Sequence, residues 1–164
     1  MTNPQNYDLL EALLDSWDRN NTITVNLLRA IPEYAMVFIP TDGSPSIARL
    51  FSHMDYVRLI FVFEDAPEFT AAKPKWTIER DRDRLARMLN DSAKAVRDAV
   101  RNRIETGREM ETHYDHPLLM LQHLIWHEGY HHGQIKLTLK MAGQAFDDEA
   151  IGPLTWSVWM KKTR

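Results

Sequence analysis

The sequence predicts an all-α protein, an antiparallel bundle of four long helices. Apolar residues recur at helical spacing in four long segments, and the 6 glycines and 8 prolines fall mostly between them. Alternating runs of β-branched residues, which would indicate strands, are nearly missing, and residues 36–39 are the only strand candidate. The length of 164 residues suits one domain, which we expect to span residues 1–164.

The first two predicted helices are separated by a proline-containing connector. Helix one is predicted over residues 8–29. Its apolar positions at helical spacing are Leu9, Leu13, Trp17, Leu27 and Leu28. The second helix is predicted to begin at Ser44 or Pro45, with Ser44 as N-cap, and to end before Pro67.

The third and fourth predicted helices are longer. The third covers residues 78–105, is strongly charged, and should end at Gly107. The fourth begins at residues 115–117, with Asp115 as a candidate cap, and runs to Ala142. The remaining tail, which contains two tryptophans, predicts a short closing helix.

Composition excludes several classes of function. A net charge of −3 and a pI near 6.1 provide no basic surface for nucleic acid. No uncharged apolar run approaches the ~20 residues that span a bilayer. Cysteine is absent, which rules out disulfides, thiolate metal sites and a cysteine nucleophile. Because residues 1–6 also lack the features of a signal peptide, we expect a cytoplasmic protein without nucleic-acid or membrane partners.

The histidines are concentrated in the second half of the chain, where residues 113–132 contain six of the seven. His127 and His131 are four residues apart, so a helix presents them one turn apart on one face. Two imidazoles in this relation can hold one divalent cation. His123 extends the same face by a turn, whereas His132 points roughly 100° away.

Two ligands hold a metal weakly, so a third is expected from another helix. His53 is the best candidate, because it is the only histidine outside the fourth helix and the loop before it. Asp55, Glu64 and Glu68 are carboxylate alternatives. Asp55 lies about 200° round the helix from His53, and Glu64 lies three turns further along.

Two motifs compete for the same residues. Residues 127–131 match the H-E-x-x-H signature of zinc peptidases, with Glu128 as base. The extended signature fails at Gln134 and Leu137, and the strands that present a peptide substrate are missing. A ferritin-like di-iron site needs two E-x-x-H motifs, and the chain supplies only the one that ends at His131.

Residues 124–135 resemble the last signature of the DinB/YfiT-like metalloenzymes, an H-x-x-x-H motif followed by Arg-Gly-Gln-Ile. His132 stands here where many relatives carry the arginine. Residues 46–54 resemble the other signature, in which a histidine closes the apolar start of helix two. Residues 40–44 resemble the preceding loop, and the resemblance in segment order covers residues 8–143.

The resemblance implies an up-down-down-up four-helix bundle, often dimeric, that holds Zn²⁺ or Ni²⁺ through His53, His127 and His131. Characterised members of the family include thiol-dependent transferases and isomerases. Since this chain has no cysteine, the thiol would be a low-molecular-weight cosubstrate. The expected function is therefore a metal-dependent transferase or isomerase that activates such a thiol or water. The alternatives are a non-catalytic, stress-linked metal or small-ligand binding module and a purely structural helical dimer.

Three further residues are candidates for catalytic roles, although none is assigned one. Tyr130 and Gln134, on the face of the histidine pair, are placed to orient a ligand ring or a substrate. Glu128 is the carboxylate nearest to the pair and could act as a general base. The alternative is that it forms a structural ion pair with an arginine on another helix. His123 is left unassigned. The remaining histidines are expected at the surface: His113, His116 and His132.

Overall fold

The computed structural model describes residues 4–162, and this part of the chain contains helices but no strands. The all-α prediction is confirmed, whereas the up-down-down-up order and the single domain stay predictions. Residues 1–3, on which part of the signal-peptide argument rests, lie outside the described range. The six α-helices are α1 (Pro4–Ala30), α2 (Ile47–Asp65), α3 (Arg82–Thr106), α4 (Pro117–Met141), α5 (Asp148–Ile151) and α6 (Ser157–Met160). No helix in the described residues is long and apolar enough to cross a membrane.

The helix α1 begins four residues earlier than predicted and continues through its middle, residues 20–25, where helix propensity is low. Two asparagines in that middle explain this continuity. The Asn20 side-chain amide donates to Glu128 of α4, and the Asn21 side-chain oxygen accepts from Arg58 of α2. These hydrogen bonds offset the low helix propensity of the segment.

The start of α2 differs from the prediction. Ser46, rather than Ser44, is the N-cap, and its side chain accepts from the Arg49 backbone N–H at 3.3 Å. The Ser44 hydroxyl instead lies 2.9 Å from that of Thr41, within the preceding turn. The strand candidate at residues 36–39 is wrong as well, because the 3₁₀ helix Glu33–Val37 takes up its first two residues and the other two have no regular structure.

The start of α3 also differs, because the helix begins at Arg82 rather than at residue 78. The Glu79 backbone N–H donates to the Ser52 hydroxyl of α2 at 2.9 Å, which fixes this segment against α2 in non-helical form. Asp81 then caps α3 by accepting from the backbone N–H three residues further on. Gly107 ends the helix in the left-handed conformation, with φ 67°, as predicted.

The helix α4 begins at Pro117 with His116 as its N-cap, so the predicted cap Asp115 is wrong. The His116 ring nitrogen accepts from the Leu118 backbone N–H at 3.2 Å. A short closing helix, α6, is present in the tail as predicted.

The core has two apolar clusters, each built from all four long helices. One contains Phe51 and Met54, and the other contains Trp17 and Val62. Between them, Arg58 donates to the Leu89 carbonyl of the first cluster and lies over the Trp17 ring of the second. A buried polar layer therefore divides the bundle core.

Candidate metal centre

Three histidines converge between α2 and α4. His53 projects from α2, and His127 and His131 project from consecutive turns of α4. The His127 Nε2 lies 3.2 Å from the His53 Nε2 and 3.0 Å from the His131 Nε2. One ligand atom from each residue lies within 4.8 Å of the others. The structure thus brings together the three histidines that the sequence singled out.

The donor set fits a divalent transition metal. Zinc–nitrogen bonds of about 2.0–2.1 Å in a tetrahedral site separate the nitrogens by about 3.3 Å, close to the spacing found here. The Gln134 Oε1 lies 2.7 Å from the His131 Nδ1, so this Nδ1 carries the proton and donates it. The lone pair of His131 is therefore on Nε2, which faces the other two rings. The Gln134 amide in turn donates to the Tyr130 hydroxyl at 3.0 Å, and this bond fixes its orientation.

Electrostatics favour neutral rings in the cluster. Burial, followed by the neighbouring His131, lowers the pKa of His53, with a further contribution from Arg49. Burial and the two other rings lower the pKa of His127 to about 4. Both imidazoles are thus neutral at pH 7, which is the state required of a metal ligand.

The carboxylates considered as third ligands lie elsewhere. Asp55 is buried on the opposite side of α2, where burial raises its pKa and the Ser92 side chain lies beside it. Glu64 lies 3.5 Å from the His113 ring, and Glu68 pairs with Arg103. Within the described residues, the group of converging ligands contains only the three histidines.

Glu128 is fully buried, with its carboxylate directed at α2 and α1. Both of its oxygens accept from Arg58, at 2.6 and 2.7 Å, and one also accepts from the Asn20 amide. This geometry supports the structural-pair interpretation rather than a general base. The sequence argument did not identify Arg58, although it is the only cation of α2 beyond Arg49 and stands among apolar residues.

His132 is half-buried rather than exposed as predicted, whereas His113 and His116 are exposed as expected. The His132 Nε2 lies 3.0 Å from the Thr24 hydroxyl oxygen, which is also within hydrogen-bond distance of the Asn20 backbone carbonyl and the Glu128 carboxylate. Burial lowers the pKa of His132 to about 4. His123 lies outside the cluster, with its Nδ1 2.9 Å from the Tyr114 hydroxyl.

The substitution His132→Gln is expected to flatten the pH dependence of stability. With a pKa of about 4 in the folded state and about 6.5 unfolded, the unfolded chain binds more protons between these values. This histidine therefore contributes stability above pH 6.5 that is lost as the pH falls to about 4. Urea midpoints of chelator-treated protein, measured from pH 4 to 7, should fall less steeply for the variant. Equal slopes for the two proteins would contradict this prediction.

A cavity of about 460 Å³ opens beside the histidine cluster. Its lining includes Arg49, His53, Tyr56, Trp76, His131 and Gln134. The sequence argument missed Arg49 and Trp76. Trp76 belongs to the non-helical segment before α3, and its ring centroid lies 6.0 Å from that of His53.

Comparison with known protein families gives one match. The sequence model of the DinB family matches residues 1–147. No curated protein and no solved structure matched the chain.

Proposed function

This chain belongs to the DinB family, and we propose that it binds one zinc or nickel ion through His53, His127 and His131. We propose further that it is a transferase or isomerase that activates a low-molecular-weight thiol or water at this site. The observation that carries the proposal is the convergence of the three imidazoles from two helices beside an open cavity.

The chemistry follows from the neutral donor set. Three imidazoles leave a coordination position free and add no negative charge, so a bound ion lowers the pKa of a coordinated thiol or water. Gln134 holds His131 in the required tautomer. The thiol must come from outside, because the chain has no cysteine. The cavity gives a small thiol and its electrophilic partner access to the cluster.

Metal content tests the binding claim. We expect about one equivalent of zinc or nickel per chain in the purified protein, and its loss in the double variant His127→Ala/His131→Ala. The matched control is His123→Ala, which removes a histidine of the same helix that lies outside the cluster. Metal-free protein, or equal metal content in the double variant, would overturn the proposal.

A conjugation assay separates an enzyme from the alternative, a non-catalytic metal or ligand-binding module. The probes are free cysteine and 1-chloro-2,4-dinitrobenzene, in which a carbon–sulfur bond forms, chloride leaves and the thiol proton passes to solvent. Faster conjugation with metal-loaded protein than with the double variant supports catalysis. Full metal content without any acceleration favours the binding module. A homodimer, the assembly we also propose, is checked by the mass of the protein in solution.

A further inference from the structure

Arg49 lies on the same face of α2 as the metal-ligand candidate His53. Arg49, His53 and Tyr56 are spaced at i, i+4 and i+7, which places them on one face of a helix, and all three line the cavity. The guanidinium is therefore directed toward the space that a ligand of the histidine cluster would fill.

Three arginines of the long helices have acidic partners, whereas Arg49 has none among the described side chains. Arg58, Arg101 and Arg103 each form ion pairs with glutamates. Among residues 9–162, whose side chains the structure describes, no carboxylate forms an ion pair with the Arg49 guanidinium. Its five N–H donors are thus available to a ligand.

The cavity lining has a charge opposite to that of the chain. It contains one arginine and two imidazoles but no carboxylate, although the chain carries a net charge of −3. Glu79, on the segment that follows Trp76, is engaged elsewhere by Arg84 and by the backbone N–H groups of Arg80 and Asp81. A divalent ion at the cluster would add to this local positive charge.

The remaining walls are largely apolar. The Trp76 ring centroid lies 5.5 Å from that of Tyr56, and Leu50 and Tyr130 add to the lining. Such a surface suits the hydrocarbon part of a ligand, while a few polar groups set its orientation.

We propose that Arg49 makes this cavity selective for an organic anion, so that one substrate of the metal site carries a carboxylate or a similar small anionic group on an apolar body. The inference rests on the proposed function for the thiol chemistry. The guanidinium binds the anionic group in its planar fork, and the Trp76–Tyr56 wall contacts the apolar body.

A metal-free experiment tests the role of Arg49 by itself. Hexanoate and its neutral analogue hexanamide are titrated into chelator-treated protein, and binding is followed by the NMR shift of the Trp76 indole N–H. Because Arg49 is exposed, we expect about fivefold tighter binding of hexanoate. The preference should disappear in Arg49→Gln and persist in Arg87→Gln, a control that removes an exposed arginine of α3 outside the cavity lining. Equal affinities in the wild type, undetectable hexanoate binding, or a preference that survives Arg49→Gln would overturn the proposal.

A second arm uses cobalt(II)-loaded protein with 6-mercaptohexanoate and 6-mercaptohexanamide, and it records the sulfur-to-cobalt charge-transfer absorption. The anionic thiol should again bind about fivefold tighter, and Arg49→Gln should remove the difference. If neither thiol produces the absorption, thiol activation at the metal site is wrong, while the hexanoate titration still decides the role of Arg49.

Discussion

The substitution Arg58→Met is expected to lower the free energy of unfolding by about 3–5 kcal/mol, because it leaves the buried carboxylate of Glu128 without its counter-charge. Neither side chain of this pair has any solvent exposure. Arg58 also donates to the Asn21 side chain at 2.9 Å and to the Leu89 carbonyl at 2.7 Å, and it lies 4.9 Å from the Trp17 ring centroid. One side chain thus connects all four long helices.

Urea unfolding of metal-free protein measures this effect. The double variant Arg58→Met/Glu128→Leu should recover most of the lost stability, because a buried pair replaced by apolar groups leaves no isolated charge. Lys94→Met is the matched control, since it breaks an exposed pair with Asp98 and should cost no more than about 0.5 kcal/mol. A loss below about 1 kcal/mol in Arg58→Met, or no recovery in the double variant, would contradict a buried, coupled pair.

The part of the site that the sequence predicted depends on local helix geometry. Four-residue spacing places His127 and His131 together whatever surrounds the helix, and helical phase separates Asp55 from His53. The same local rules predicted α4 to within two residues at its start and placed the end of α3 at Gly107. The spacing of residues within one helix therefore predicts correctly which side chains share a face of that helix.

The rest depends on contacts between segments distant in sequence. Residues 78–81 have a helix-compatible composition, but Ser52 of α2 binds the Glu79 backbone and delays the start of α3. Trp76, in the same non-helical segment, packs near His53. In the same way, His132 is half-buried and lies against Thr24 of α1. Contacts between distant segments cannot be read from the spacing of residues within one segment. The sequence argument therefore missed Trp76 as part of the cavity lining.

Zinc is expected to stabilise the metal-free protein by about 4 kcal/mol when the free ion is at 1,000 times its dissociation constant. The gain arises because His53 and the α4 pair converge only when α2 packs on α4, so the unfolded chain lacks the site. Removing one of three ligands should weaken binding by at least about 100-fold. At the same zinc concentration, His53→Ala should therefore retain a gain of about 1.4 kcal/mol or less.

The comparison of His53→Ala with His123→Ala makes this prediction specific to the cluster. His123 lies on the same helix as the pair, one turn before His127, yet its ring bonds to Tyr114 instead of the cluster. Its alanine variant should keep the full zinc-dependent shift in the urea midpoint. If both variants lose the shift equally, zinc binds the histidine-rich segment at large and the inter-helix site is wrong. If the wild type shows no shift, the three imidazoles hold no metal, and their convergence is only a packing arrangement of the rings.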